Sequence, residues 1–337
     1  MKRSPSPRIF LAIICLALLV AFTLAPQAVD AQGKKIVIKF GHIQTGDDAV
    51  HQGAVKFAEL VAQKTGGQAE VQIFPNSQLG NAKSQLQAIA IGGQDIFMDG
   101  IGWYVDYDKD WTPLALGFAI RSREEMLKAL DSEYGRDLEE RLLKKGIRVA
   151  AHNWWKGDRS LIARKPVRTV AELQNVKMRV PSKAFFLTWQ ALGSQPTIVA
   201  WGEVFTALQQ GVIDAAEAPV AEFYTQKLYE PAPHITLTRH LVNESVVSVS
   251  EKAYATWPAS VQKAVLDAAR EAGETQYGMQ LAREREATEK MKAGGAKFYE
   301  PNREEWMAKV ASLPEKLEGQ GDWGKGAWAR IQAAIKK

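Results

Sequence analysis

One arginine stands out for its setting. Lys177-Met178-Arg179-Val180-Pro181 is an apolar, strand-like run with a guanidinium in its middle. A charge in such a place is costly to bury unless something pairs with it. The planar fork of an arginine matches a carboxylate through two parallel hydrogen bonds. Arg179 therefore either holds the carboxylate of a small acid or makes a structural salt bridge to Glu217, Asp214 or another acid. Arg159, in a polar stretch after a strand, could be a second donor or a solvated loop residue. Trp201 opens a helix and could lie flat against a ligand or pack in the core. Glu217 could orient an arginine, accept from a ligand hydroxyl, or be purely structural. Asp99 stands at the carboxyl end of another strand, and Trp103-Tyr104 just beyond it could form an opposite wall or pack under a loop. With Trp154, which follows a further strand, these aromatics suggest a flat or ring-containing acid.

Other chemistries find little support. The chain has no phosphate-cradling loop, nucleophile elbow or two-histidine zinc helix. Its five histidines, His42, His51, His152, His234 and His240, lack metal-ligand spacing. Neither a catalytic set nor a metal nor a cofactor is expected. Gly319-Gln320-Gly321-Asp322-Trp323-Gly324 has the spacing of a dinucleotide fingerprint but follows a polar helical tail instead of a strand. The net charge of +5 comes without a basic run or stripe, which argues against nucleic acid.

The 337 residues suffice for a large core in two lobes, and the apolar share of 46% is ordinary for a globular chain. At the start, Lys2, Arg3 and Arg8 precede an apolar run over residues 9–22, too short to span a membrane comfortably. Val29-Asp30-Ala31 supplies small residues for a signal peptidase, so residues 1–31 read as a leader cleaved after Ala31. The only cysteine, Cys15, falls inside it. An exported chain without thiols points to a bacterial periplasm.

Stepping outward, residues 177–219 read strand, helix, strand, helix, strand, the pattern of a parallel α/β sheet. In such sheets ligands bind beyond the carboxyl ends of the strands, where Arg179, Trp201 and Glu217 fall. Residues 36–100 repeat the same alternation. A charged helical region follows over 121–145, with a break near Gly135. Strands are expected over 147–153 and 160–163, separated by a polar turn containing Arg159, and again over 235–238 and 245–249. Residues 258–291 predict one long helix, with Pro258 at its start. The tail, 303–335, predicts helices separated by a turn at 317–321.

These residues together resemble the solute-binding proteins of TRAP (tripartite ATP-independent periplasmic) transporters, the DctP-like group. The resemblance rests on Phe74-Pro75-Asn76-Ser77-Gln78-Leu79-Gly80, and on Lys165-Pro166-Val167 with Leu173 leading into the Arg179 run. It rests equally on Gly193-Ser194-Gln195-Pro196-Thr197 and on the stretch from Glu203-Val204-Phe205 to Val212-Ile213-Asp214. Order and spacing agree over residues 36–291.

The resemblance implies a two-lobed α/β periplasmic-binding-protein fold, with a ligand cleft between the lobes and a long helix spanning both. Lobe I is expected over 32–156 with about 245–284, and lobe II over 157–244 with about 285–337. It also implies that Arg179 binds the carboxylate, that Arg159 is a second arginine at the site, and that Trp201 is a ligand-contacting aromatic. Sialic-acid-binding relatives carry asparagine where this chain has Ala218 and a polar residue where it has Ile43, which argues against sialic acid. Some keto-acid-binding relatives use a metal, but their ligand residues have no match here.

The expectation is thus a monomeric periplasmic receptor, not an enzyme, that delivers a small organic acid to TRAP membrane subunits. The alternatives are a periplasmic enzyme acting on such an acid and a binding protein that feeds a sensor.

Overall fold

Two parallel half-sheets are joined edge to edge by one long antiparallel ribbon. The computed structural model describes residues 35–336; the expected leader, 1–31, lies outside the described residues. The first half follows the chain as β1 (Ile36–Gly41), α1 (Ala49–Lys64), β2 (Ala69–Phe74), α2 (Ala82–Ile91) and β3 (Ile96–Gly100). Two 3-10 turns, Ile101–Asp106 and Lys109–Ala115, lead to α3 (Arg123–Asp131) and α4 (Glu133–Leu143). The ribbon's first strand is β4 (Ile147–Ala163). The second half comprises β5 (Lys177–Val180), α5 (Lys183–Ala191), β6 (Gln195–Ile198), α6 (Val204–Gln210), β7 (Ala215–Pro219) and α7 (Val220–Thr225). The chain returns along β8 (His234–Ser250), then α8 (Glu251–Tyr254), α9 (Ala259–Ala293) and β9 (Lys297–Tyr299). It closes with α10 (Arg303–Val310), α11 (Leu313–Gln320) and α12 (Ala327–Ile335).

The strands lie in the order β2-β1-β3-β8-β4-β7-β5-β6, with β9 beside β8. β1 pairs parallel with β2 and β3, and β5 pairs parallel with β6 and β7. The contacts β3–β8, β8–β4 and β4–β7 are antiparallel. The carboxyl ends of the parallel strands in each half meet beside the ribbon, the position that sheet topology assigns to ligands.

Local chemistry explains most element ends. Asp48 caps α1 by accepting from Val50 N at 2.8 Å, and Asn81 caps α2 by accepting from Ser84 N at 3.0 Å. α6 stops at Gly211, whose φ of 72° a side chain would resist. The break expected near Gly135 falls at Ser132, whose hydroxyl accepts from Tyr134 N at 3.1 Å and starts α4. Gly135 follows for a steric reason: a Cβ there would come within 1.8 Å of the Leu130 carbonyl oxygen.

The ribbon is the main departure from the pattern read off the sequence. The two strands expected over 147–153 and 160–163 form one strand, β4, with no turn at Arg159. Likewise 235–238 and 245–249 belong to a single strand, β8. Both strands run through the boundaries expected at 156/157 and 244/245. Register shifts at 149/151, 151/154, 155/158 and 159/161 absorb the polar residues that resembled a turn. In the tail, Leu317 and Gln320 lie inside α11, so the turn follows at Gly321.

Helices cover both faces of the sheet. Apolar residues of α1 and the first part of α9, among them Phe57, Val61, Val265 and Ala272, bury one face of β1, β3 and β8. α6, α7 and the end of α9 cover the same face of β7. The opposite face packs against α2 to α5 and the tail helices. α9, with 35 residues, contacts α1 in one half and α7 in the other, as the single long helix predicted. Small residues permit its closest approach. A Cβ at Gly53 of α1 would lie 2.7 Å from the Trp154 ring, and one at Gly273 of α9 would lie 2.8 Å from it.

Candidate functional site

A narrow cavity of about 30 Å³ opens where the two halves face each other. From the first half it is lined by Ile43, Asp99, Gly100, Gly102 and Trp103. The ribbon contributes Lys156, Arg159 and Asn243, and the second half contributes Arg179, Pro181, Phe185, Trp201 and Glu222. Five of the residues singled out from the sequence therefore come together: Arg179, Arg159, Trp201, Asp99 and Trp103.

Arg179 leaves β5 at its carboxyl end and is 2% exposed. Its Nε donates to the Val199 carbonyl at 2.9 Å, and its guanidinium carbon stands 5.2 Å from the Trp201 ring centre. Among the described residues no carboxylate forms an ion pair with it; the salt bridge to Glu217 or Asp214 that the sequence allowed is not made. Burial lowers its pKa to about 10, against the attraction of Glu217. At neutral pH it stays charged, and it is buried without a counter-ion. Such a group gains from an anion that enters with it.

Arg159 is a different case. Nη2 donates to Glu217 Oε1 at 2.7 Å and to the Glu217 carbonyl at 2.9 Å, while Nε pairs with Oε2. The antiparallel register that sets Arg159 opposite Pro219 brings this about. Its guanidinium also lies 4.8 Å from the Phe185 ring centre. Burial alone would raise the pKa of Glu217, yet Arg159 and His240 outweigh it and hold the carboxylate below its ordinary value. His240 Nε2 stands 3.1 Å from Glu217 Oε2. Arg159 is thus a neutralised cation that presents the edge of its pair to the cavity.

A second charged group was missed in the sequence. Lys156 Nζ is 2.9 Å from Asp99 Oδ1 and 3.3 Å from Glu222 Oε1, all three buried. Burial would depress the lysine's pKa, but Asp99 and Glu222 overrule it and the net shift is upward. Lys156 went unnoticed because its polar neighbourhood resembled a turn. Glu222 had a usable signal: it stands in the first turn of α7, which directly follows the carboxyl end of β7. Asn243 had none, since only the pairing of β8 brings it to the cavity.

Three expected site residues belong elsewhere. Glu217 is fully buried behind Arg159 and does not line the cavity. Tyr104 is fully buried, its hydroxyl 2.6 Å from Ser248 Oγ and its ring 5.2 Å from that of Trp111. Trp154 is fully buried beneath the α1–α9 crossing, where its Nε1 donates to the Ala269 carbonyl at 2.8 Å. Both aromatics are core residues: Tyr104 lies in the 3-10 turn after β3 and Trp154 in the middle of β4, and both rings are turned inward.

Residues 40–320 match the family described as bacterial extracellular solute-binding protein, family 7. The C4-dicarboxylate-binding periplasmic protein DctP of Rhodobacter capsulatus is 31% identical over 284 residues, 83% of this chain and 85% of that protein. A TRAP periplasmic solute-binding protein of Fusobacterium nucleatum, solved with bound sn-glycerol-3-phosphate, has a TM-score of 0.84 at 28% identity, covering 89% of this chain and 97% of the other. A TRAP periplasmic solute-binding protein of Roseobacter denitrificans with bound β-D-glucuronate has a TM-score of 0.82 at 26% identity, covering 88% and 99%.

Proposed function

This chain belongs to the bacterial extracellular solute-binding proteins of family 7, and we propose from that premise that it captures a small organic acid for a TRAP-type transporter. The acid's carboxylate would sit on Arg179, with Trp201 against it and the Arg159–Glu217 pair beside it. The observation that carries this reading is the Arg179 guanidinium, buried at the mouth of the parallel strands with no carboxylate among the described residues paired to it. Charge-assisted bonds made there, away from water, are stronger than the same bonds in solvent.

Capture would be coupled to movement of the halves. Asp99 and Trp103 come from the β1–β3 half and Arg179 and Trp201 from the β5–β7 half, so a ligand touching both favours the closed arrangement by its differential affinity. The division expected from the sequence, 32–156 with 245–284 against 157–244 with 285–337, would then be a hinge across β4 and β8. Export by the 1–31 leader and delivery to membrane subunits complete the reading. No helix among the described residues is long and apolar enough to cross a membrane.

A thermal-shift screen of organic acids tests it, since a ligand that binds only the native state raises the melting temperature. A dose-dependent rise with one or more carboxylates, absent in Arg179→Ala, is expected. No response to any carboxylate overturns the assignment.

A further inference from the structure

The long helix α9 changes character where it crosses the ribbon. Its buried residues up to Gly273 are small or apolar, and those from Ala287 onward are apolar again. Between them the buried positions are Gln276 and Gln280, one turn apart on one face and 0% and 1% exposed. Burying two amides costs free energy unless each is answered.

The main chain of β4 answers them. Gln276 Oε1 accepts from Trp155 N at 3.0 Å, and its Nε2 donates to the Trp155 carbonyl at 2.8 Å. Gln280 Nε2 donates to the Lys156 carbonyl at 2.8 Å. The sheet is interrupted at this point. Trp155 stands opposite Glu244 and Asp158 opposite Val242, so Lys156 and Gly157 together face the single residue Asn243. Pairing with β7 begins only at Arg159. Main-chain groups that a regular ladder would satisfy take the glutamine amides instead, which both donate and accept. Gly157 fits the same contact: its φ is 99°, and a Cβ there would stand 3.2 Å from Gln280 Nε2.

The residue held in this way is the cavity lysine. Lys156 gives its carbonyl to α9 and its ammonium to Asp99 and Glu222, at 2.9 and 3.3 Å. Were its main chain to shift, the ammonium would leave two buried carboxylates uncompensated at the cavity, where they would repel an entering anion. We propose that Gln276 and Gln280 are positioning residues of the binding site, which fix the extra residue of β4 so that Lys156 neutralises Asp99 and Glu222. A methionine at either position fills similar space but forms none of these bonds. The consequence for anion capture rests on the Arg179 reading above; the placement of Lys156 does not.

Lysine acetylation by an N-hydroxysuccinimide ester, read by peptide mass spectrometry, tests the placement in the solute-free protein. Lys156 is 4% exposed and should label slowly in the wild type. Gln276→Met and Gln280→Met should each label Lys156 about 10-fold faster, and faster than the unfolded fraction from urea curves allows. Unchanged labelling of Lys156 in the folded variants overturns the inference, as does a rise that the unfolded fraction explains in full. Calorimetry with D-glucuronate and with succinate supplies a second arm. For an acid that binds the wild type, Gln280→Met should weaken it about 10-fold, while adding Gln280→Met to Lys156→Met should cost nothing further. Losses that add overturn the inference, since Gln280 then acts apart from Lys156. Where Lys156→Met or the wild type binds neither acid, the labelling result decides alone. Should neither glutamine variant fold, hydrogen exchange of the wild type decides: the Trp155 amide should be as protected as the amides of β8, and rapid exchange there overturns the inference. Labelling involves no acid, so its failure removes this inference and leaves the carboxylate reading standing. Failure of Arg179→Ala to weaken an acid removes that reading and leaves the placement of Lys156 standing.

Discussion

Arg159 and Glu217 form a two-point ion pair with Glu217 fully buried, and this pair leaves Arg179 without a carboxylate. Removing one partner of a buried pair strands the other charge, which costs roughly 3–5 kcal/mol. Glu217→Gln should therefore lower the urea midpoint strongly, because both Arg159 and His240 lose their carboxylate. An unchanged midpoint would mean that the pair contributes nothing to the fold.

Arg179 predicts the opposite division of effects. Truncating a buried charged partner costs an interface about 2–5 kcal/mol, so Arg179→Ala should weaken the acid about 30-fold or more in calorimetry. The melting temperature of the ligand-free protein should hold or rise, because an uncompensated buried charge is removed. Arg179→Lys should recover only part of the affinity, since an ammonium lacks the planar fork.

Trp154 supplies a control at the same strand ribbon. It fills the α1–α9 crossing between Gly53 and Gly273, away from the cavity. Trp154→Ala should cost about 3–5 kcal/mol by chemical denaturation and leave the acid's dissociation constant unchanged wherever the variant is folded. Gly273→Ala should also destabilise, by about 1–3 kcal/mol of overpacking.

Asp48 makes stability depend on pH. Burial, then the neighbouring Glu222, raises its pKa from 3.8 to about 7. Between those values the folded chain holds a proton that the unfolded chain has released, so this group's contribution to stability declines as pH rises from about 4 to 7. Asp48→Asn keeps an N-cap side chain and removes the charge. Denaturation curves should show the variant gaining on the wild type from about pH 4 to pH 7 and levelling off above that. A constant difference across that range would contradict the assignment.

The sequence made the two βα halves legible because apolar strands and capped helices alternate without interruption. Arg179 was legible for a related reason: a lone charge in an apolar strand has few explanations. The ribbon was not. Residues 156–160 are polar and include Gly157, so local pattern reads them as a turn, whereas pairing with β8 and β7 holds them extended. Everything that depends on that pairing was hidden as well, including Lys156 at the cavity and the partnership of Arg159 with Glu217, 58 positions away. Tyr104 and Trp154 were misplaced because nearness to a strand end does not say which side of the sheet a ring will take.

The register shifts along β4 carry a mechanical consequence. Each one interrupts the ladder and leaves that point torsionally softer than a regular pair. Lys156 lies within the 155/158 shift, and Arg159 stands at the edge of the 159/161 shift. Flexing the ribbon must therefore rotate the two cations along with the halves they connect. On the proposed reading, gripping the solute and shutting around it would be one deformation of a single strand, so stiffening that strand far from any ligand atom would slow release as well as entry.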